Sequence, residues 1–186
     1  MPTDYARELV RLAALTKPRE QPKDADWRLI EAELGYELPA DFKILVSGLG
    51  SGSFGCGLTL QNPCASIKHA KLSPETLLSH REPIRDLEQE VGIALYPSPG
   101  GMVLVASMDR QDFYLAPDKA SAKSLTQLAW LNVDTEEIKL LNLTFSQFIH
   151  DLYLGLIDEP WAEEFRTYLW REGKAPFFSS APELNN

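Results

Sequence analysis

The segment from Gly50 to Gly55 reads Gly-Ser-Gly-Ser-Phe-Gly, which matches the G-x-G-x-x-G pattern of dinucleotide-binding loops. In those loops a strand leads into the glycines and a helix follows, so that backbone N–H groups at the helix start meet the pyrophosphate. Here a helical apolar pattern precedes the glycines and an alternating pattern follows them. We therefore predict that they end a helix and begin a strand, where a missing Cβ permits close backbone approach. A nucleotide-binding enzyme is accordingly the least favoured hypothesis.

Side chains that could act as nucleophiles, bases or metal ligands are few and far apart. The histidines are His69, His80 and His150. Cys56 and Cys64 lack the C-x-x-C spacing of metal sites, and Cys56 fits the buried face of a strand. Ser51, Ser53 and Cys64 are possible nucleophiles, but the sequence assigns no partner histidine to any of them. We predict no catalytic residue, no cofactor and no metal.

Carboxylates cluster at two sites that look like turns, with Asp109 and Asp112 at the first and Asp134, Glu136 and Glu137 at the second. A glycosidase or metal site would need these groups at fixed separations in a cleft. Turn formation and solvation explain them more simply. If the strand order brings both turns to one end of a sheet, they form an acidic patch. These five residues are our candidate partner-binding residues.

The elements around these residues follow from apolar spacing and from breaking residues. The first half predicts a helix after Thr3, a second helix that Gly35 ends, a third that begins at Pro39, and a strand over 54–60. Ser73-Pro74 opens a helical region that Pro83 interrupts.

The second half predicts mostly strands and then helices. Met102–Ala106 is a continuous apolar run, typical of a central strand, and further strands are predicted at 113–115, 128–133 and 138–141. Thr144 is expected to cap one helix, and a last helix begins near Glu159 with Trp161, Phe165, Tyr168 and Leu169 on its apolar stripe. Residues after Gly173 look like a tail. We predict an α+β fold with a mostly antiparallel sheet of about five to six strands, flanked by N- and C-terminal helices.

Composition limits the functional classes. The 186 residues carry 18 basic and 27 acidic side chains, a net charge of −9. An acidic surface repels phosphate backbones and anionic lipid, so we expect neither direct nucleic-acid binding nor membrane binding. No apolar run reaches the roughly 18 residues that would span a bilayer, and the charged N-terminus is unlike a signal peptide. We therefore expect a cytoplasmic protein with reduced thiols. An acidic surface suits a basic partner, although acidity is also common simply for solubility.

Several segments together resemble the SUKH superfamily, the Smi/Knr-type domain. In chain order they are Trp27-x-x-Ile-Glu31, Leu34-Gly35, Leu38-Pro-Ala-Asp-Phe-Lys43, the glycine-rich stretch 50–57 leading to Pro63, Met108-Asp-Arg-Gln-Asp-Phe-Tyr114, Trp130-Leu-Asn-Val133 and Leu143-Thr-Phe-Ser-Gln-Phe-Ile149. The resemblance covers 24–157 as a SUKH-like domain. It leaves 1–23 as an added N-terminal helix and linker, and 158–186 as an added C-terminal helix and tail packed on the same domain.

The resemblance implies a function without catalysis. Many bacterial members of the superfamily look like immunity proteins, which bind and neutralise a cognate toxin, often a nuclease. We therefore expect a protein-binding domain whose partner is a basic toxin domain. The alternative is a regulatory or scaffold interaction domain unrelated to toxins. The family supplies no catalytic residues to transfer, and it implies structural roles for Trp27, Pro39, Phe42, Gly50 and Gly52.

Overall fold

One antiparallel sheet organises the fold. The computed structural model describes residues 2–13, 17–108, 110–118, 123–173 and 176–181. Within these ranges seven strands form the sheet: β1 (Gly52–Phe54), β2 (Leu58–Leu60), β3 (Val103–Met108), β4 (Gln111–Pro117), β5 (Leu125–Asn132), β6 (Glu137–Leu141) and β7 (Phe178–Ser180). Their order across the sheet is β6-β5-β4-β3-β2-β1-β7, and all neighbouring strands are antiparallel.

The helices precede, interrupt and follow the strands. They are α1 (Pro2–Leu12), α2 (Asp24–Leu34), α3 (Ala40–Leu49), α4 (Pro74–Arg81), α5 (Arg85–Val91), α6 (Phe145–Leu154) and α7 (Pro160–Trp170). Short 3-10 turns cover Lys68–Ala70, Glu82–Ile84 and Arg171–Gly173. No helix in the described ranges has the length and apolar character that crossing a bilayer requires.

Local signals place most helix ends where the sequence predicts them. Gly35 ends α2 in the left-handed region, at φ 74°. The Thr144 hydroxyl accepts the Gln147 backbone N–H at 3.3 Å and so caps α6. The predicted interruption at Pro83 is confirmed, because the 3-10 turn Glu82–Ile84 separates α4 from α5.

Helices cover both faces of the sheet, which confirms the predicted α+β class. On one face Phe113 of β4 packs against Phe145, Phe148 and Phe165, which lie on α6 and α7. On the other face Tyr114, the next residue of β4, lines a small space together with Leu77, His80 and Arg81 of α4. The apolar run of β3 lies between β2 and β4 and is almost entirely buried, as its sequence predicts.

The predicted strand over 54–60 is instead a tight hairpin. β1 and β2 pair antiparallel, with Phe54 opposite Leu58, and residues 55–57 form the turn. Cys56 therefore lies exposed in the turn and not on a buried strand face, which corrects the sequence-based expectation. Only residues 52–54 and 58–60 are extended, because Gly55 and Gly57, both at positive φ, reverse the direction of the chain between them.

The residues after Gly173, predicted as a tail, contribute a seventh strand. β7 pairs with β1 and places Phe178 opposite Phe54. β2 and β7 are the two strands that were not predicted separately, and they raise the number of strands in the sheet to seven, above the expected five to six. One continuous core cluster includes Leu9 of α1, Phe42 of α3 and Phe178 of β7, so elements from both ends of the described chain pack on the same core as the segments between them.

Candidate functional site

The β3–β4 and β5–β6 turns meet at one end of the sheet. The Val133 backbone N–H donates to the Arg110 carbonyl at 2.9 Å, and the Arg110 guanidinium Nε lies 2.6 Å from Asp134 Oδ1. Because successive antiparallel strands reverse direction, the turns that follow β3 and β5 lie at the same end of the sheet. The strand order thus brings together the two turns whose carboxylates the sequence singles out.

The β5–β6 turn projects its carboxylates into solvent. Asn132 Oδ1 accepts the backbone N–H groups of Asp134 at 3.0 Å and Thr135 at 3.3 Å, an Asx turn. Glu136 is exposed and holds a left-handed backbone at φ 55°. The Asp134 and Glu137 side chains are 63% and 47% exposed. We call Asp134, Glu136 and Glu137 the acidic hairpin end.

Asp112, the candidate of the β3–β4 turn that the structure describes, does not join this surface. Asp112 is only 8% exposed. Side chains alternate along β4, so Asp112 lies on the same face as Tyr114, beneath α4, and does not face solvent at the hairpin end. The Tyr114 hydroxyl donates to Asp112 Oδ2 at 3.1 Å. Burial raises the pKa of the Asp112 carboxyl, although this hydrogen bond and the charges of His80 and Arg110 oppose the shift. Asp109 lies outside the described residues.

An open groove of about 380 Å³ adjoins the acidic hairpin end. It runs between strands β3 to β6 on one side and α7 on the other, and we call it the aromatic groove. Its sheet side is formed by Met108, Gln111, Trp130, Asn132, Thr135 and Glu137. Its helix side is formed by Trp161, Glu164, Phe165 and Tyr168. Glu137 therefore belongs to both the groove and the hairpin end.

Stacked tryptophans build the inner part of the groove. The rings of Trp130 and Trp161 lie 5.0 Å apart, with 13° between their planes. The Trp130 indole N–H donates to Gln111 Oε1 at 2.6 Å, which fixes its ring orientation. The Lys139 ammonium lies 5.6 Å from the Trp130 ring centre and 5.3 Å from that of Trp161. The rings thus already contact a cation at a distance typical of cation–π attraction.

Charged side chains lie beside the aromatic residues of the groove. The Lys139 ammonium lies 3.2 Å from Glu137 Oε1. The Arg171 guanidinium lies 5.3 Å from the Tyr168 ring centre. Glu164 makes no hydrogen bond or ion pair with any part of the chain that the structure describes. Its neighbour Glu163, by contrast, forms a two-point ion pair with Arg166 at 2.6 and 3.0 Å.

The groove does not follow from the sequence pattern, because helical spacing places the aromatic residues of α7 on the buried face. Phe165 and Leu169 are indeed buried, but Tyr168 is 45% exposed. The overlooked signal is Glu164, since positions 161, 164, 165 and 168 share one helical face and a carboxylate interrupts their aromatic series. That the strands would bring Trp130 opposite this face could not be read from local spacing.

The glycine segment has the predicted architecture. α3 ends at Leu49, and the N–H groups of Gly50 and Ser51 donate to Val46 at 2.7 Å and Arg19 at 2.9 Å. Residues 52–54 pair with strands on both sides, and the Gly55 N–H donates to Phe177 at 3.1 Å. These amides have partners within the protein and do not converge on an open anion site.

The histidines and cysteines remain dispersed. His150 packs at the junction of α6 and α1, where Nδ1 lies 2.8 Å from Asp151 and the ring centre lies 4.8 Å from that of Tyr5. In the ranges that the structure describes, no three His, Cys, Asp or Glu side chains form a group suited to a metal ion. The aromatic groove and the acidic hairpin end therefore carry the site's distinctive chemistry.

Comparison of the chain with protein-family models, with curated proteins and with solved structures found no match.

Proposed function

We propose that this protein is a non-catalytic protein-binding domain of the SUKH type, and that it acts as an immunity protein against a basic toxin domain. The observation that carries the proposal is the continuity of the aromatic groove with the acidic hairpin end through Glu137. A binding surface of this kind offers apolar contact at its centre and negative charge at its rim.

The composition of the groove supports a protein partner. Tryptophan and tyrosine are enriched among the residues that dominate binding energy at interfaces, especially where they fill or line pockets surrounded by polar groups. Here Trp130, Trp161 and Tyr168 line one groove, and polar side chains such as Asn132 and Thr135 surround it. A specific interface needs roughly 800 Å² from each partner. The groove together with the hairpin end and the exposed face of α7 provides a continuous surface on which such an interface can be centred.

The charge supports a basic partner. The net charge is −9, and the hairpin end contributes three exposed carboxylates, of which Asp134 is paired with Arg110 and Glu137 with Lys139. Nuclease domains bind phosphate and are often basic around their active sites, so an acidic surface accelerates their capture and covers the site that binds nucleic acid.

The direct test is co-expression with the toxin-like product of a neighbouring gene. We expect the wild-type protein to restore growth and to co-purify with the toxin domain. Restored growth together with a complex supports the proposal. A complex without protection would instead favour a regulatory or scaffold role. Absence of both, for every toxin encoded nearby, would contradict the proposal.

A charge-neutralised variant locates the binding surface. The groove variant carries E136Q, E137Q and E164Q, which change the net charge from −9 to −6 and leave the aromatic residues in place. We expect it to protect less well than the wild-type protein at equal expression.

The matched control removes the same charge elsewhere. The control variant carries E82Q, D86N and E90Q, three exposed residues of the α4–α5 region. It also has a net charge of −6, so any difference between the two variants reports position and not total charge. Equal protection by both would contradict the placement of the site.

A further inference from the structure

We propose that the aromatic groove receives an arginine side chain of the partner, with its methylene stem against Trp161 and Tyr168 and its guanidinium on Glu164. The inference deepens the proposed function and rests on it only for the identity of the partner. The groove itself supplies the chemistry.

The helix side of the groove is laid out for a long cationic side chain. Trp161, Glu164 and Tyr168 follow one another at intervals of three and four residues, so they form one row along α7. The row faces Trp130 and Glu137 across the groove. In this row Glu164 lies between the two aromatic residues, so the apolar stem of an entering side chain can lie against a ring while its charged tip reaches the carboxylate, which is how arginine divides its apolar and charged parts.

Cations of the protein itself already contact these aromatic rings. Lys139 lies against the tryptophan pair from the sheet side, and Arg171 lies against Tyr168 from the helix end. Aromatic rings attract cations through their negative faces, and the attraction strengthens when water is excluded. Glu164 lines the same groove and has no counter-ion in the described part of the chain.

The contrast between adjacent glutamates is informative. Glu163 is matched by Arg166 one turn further along α7, which satisfies its carboxylate on the outer side of the helix. Glu164 lines the groove instead, and the sheet side adds a second carboxylate, Glu137, which is paired with Lys139 at 3.2 Å. An apolar occupant would cover Glu164 and leave a desolvated charge without a partner, which is unfavourable. A cationic occupant pairs with the Glu164 carboxylate and so avoids the cost of burying an unpaired charge.

Arginine fits this environment better than lysine. Its guanidinium is planar, more weakly hydrated than an ammonium and able to donate five hydrogen bonds in a fixed fork. It can therefore reach Glu164 and still lie along aromatic surface. The ammonium of lysine is a strongly hydrated point charge, and it loses more on leaving water.

The test uses the peptide acetyl-Gly-Arg-Gly-amide and needs no toxin. In two-dimensional NMR spectra of the intact protein, each indole N–H gives its own signal. We expect millimolar peptide to shift the signals of Trp130 and Trp161 in a saturable way. Trp27 and Trp170, which are buried away from the groove, serve as internal controls and should not move. The same peptide with citrulline, a neutral isostere of arginine, should shift none of them, and a lysine peptide should bind more weakly.

Two neighbouring variants complete the test. Glu164→Gln should weaken the arginine peptide about fivefold, because it removes the charge that assists the hydrogen bonds. Glu163→Gln, on the outer side of the same helix turn, should change binding by less than about twofold. The inference is overturned by the absence of shifts, by equal binding of the citrulline or lysine peptide, or by equal effects of the two variants.

The two proposals can fail separately. Protection in the co-expression assay without any response to the arginine peptide would leave the proposed function standing and reject the arginine site. Arginine binding without protection or a toxin complex would reject the proposed function, while the groove would remain a site for a basic side chain.

Discussion

The guanidinium of Arg110 lies 2.6 Å from the carboxylate of Asp134 and joins the two turns at the acidic end of the sheet. Both side chains are more than half exposed, at 54% and 63%, so the ion pair contributes at most about 1 kcal/mol to stability. Its larger consequence is electrostatic, because Arg110 cancels one of the charges that a basic partner would meet.

Replacing Arg110 by glutamine should therefore favour capture of a basic partner. We expect Arg110→Gln to raise the association rate with the proposed toxin partner about twofold at low salt and to change the free energy of unfolding by less than about 1 kcal/mol. Stopped-flow mixing and urea denaturation measure the two quantities. Arg85→Gln, an exposed position on α5, is the control with the same change of charge. An equal rise in the control, or a slower association of Arg110→Gln, would speak against the acidic hairpin end as the contact surface.

We expect the contribution of Asp112 to the free energy of unfolding to fall as pH rises from acid towards neutral. Its folded-state pKa is raised above 3.8 by burial, so the folded protein retains a proton that the unfolded chain has already lost. The contribution of this group is most favourable below the unfolded pKa and declines as pH rises through the folded value. Asp112→Asn removes the titrating group and keeps an oxygen that accepts from Tyr114.

Urea denaturation at a series of pH values measures this effect. We expect Asp112→Asn to gain stability over the wild-type protein as pH rises above about 4 and to keep that gain at neutral pH. Asp86→Asn, an exposed position on α5, is the control and should follow the wild-type curve closely. A constant difference between Asp112→Asn and the wild-type protein at all pH values would contradict the burial of an ionisable carboxyl.

Gly50 should be far less tolerant of a side chain than Gly92, although both have φ 71°. A Cβ at Gly50 would lie 1.9 Å from the Arg19 carbonyl oxygen, whereas a Cβ at Gly92 would meet nothing within 4 Å. We expect Gly50→Ala to cost about 3 kcal/mol or more and Gly92→Ala about 1 kcal/mol. Chemical denaturation of both variants measures the difference. Similar costs would show that residues 17–20 do not pack on the end of α3.

The two thiols should react at different rates. Cys56 is exposed in the β1–β2 turn, whereas Cys64 is partly buried and its pKa is raised by burial and by the nearby Asp26. A smaller thiolate fraction and poorer access both slow attack on a disulfide reagent. We expect one thiol to react at least about tenfold faster, and Cys56→Ser to remove that fast phase while Cys64→Ser preserves it. Loss of the fast phase in Cys64→Ser would indicate that the 54–60 segment is the continuous buried strand that its alternation suggests.

The sequence predicts those parts of the fold that short-range chemistry determines. Glycine at 35, proline at 83 and threonine at 144 act on the backbone within a few residues, so the helix ends they produce are where the pattern places them. The apolar run of β3 predicts a central strand because such a run is favourable only when both faces are covered. The α+β class follows from the order of these elements.

Features that depend on distant contacts were missed. β7 has only three residues and becomes a strand by pairing with β1, more than a hundred positions earlier. Asp112 has the composition of a turn residue, but its position in the register of β4 turns it inward. The aromatic groove needs Trp130 and Trp161, on separate elements, to meet face to face. No local pattern contains that information.

The association rate of the groove variant with the toxin domain that we propose as its partner tests the central claim most directly. Stopped-flow measurements at several salt concentrations should compare it with the wild-type protein and with the control variant. We predict that the groove variant associates about tenfold more slowly at low salt, that the difference shrinks as salt rises, and that the control variant stays within about twofold of wild type. Equal slowing of both variants, or no slowing of the groove variant, would contradict the assignment of the acidic hairpin end and the aromatic groove as the binding surface.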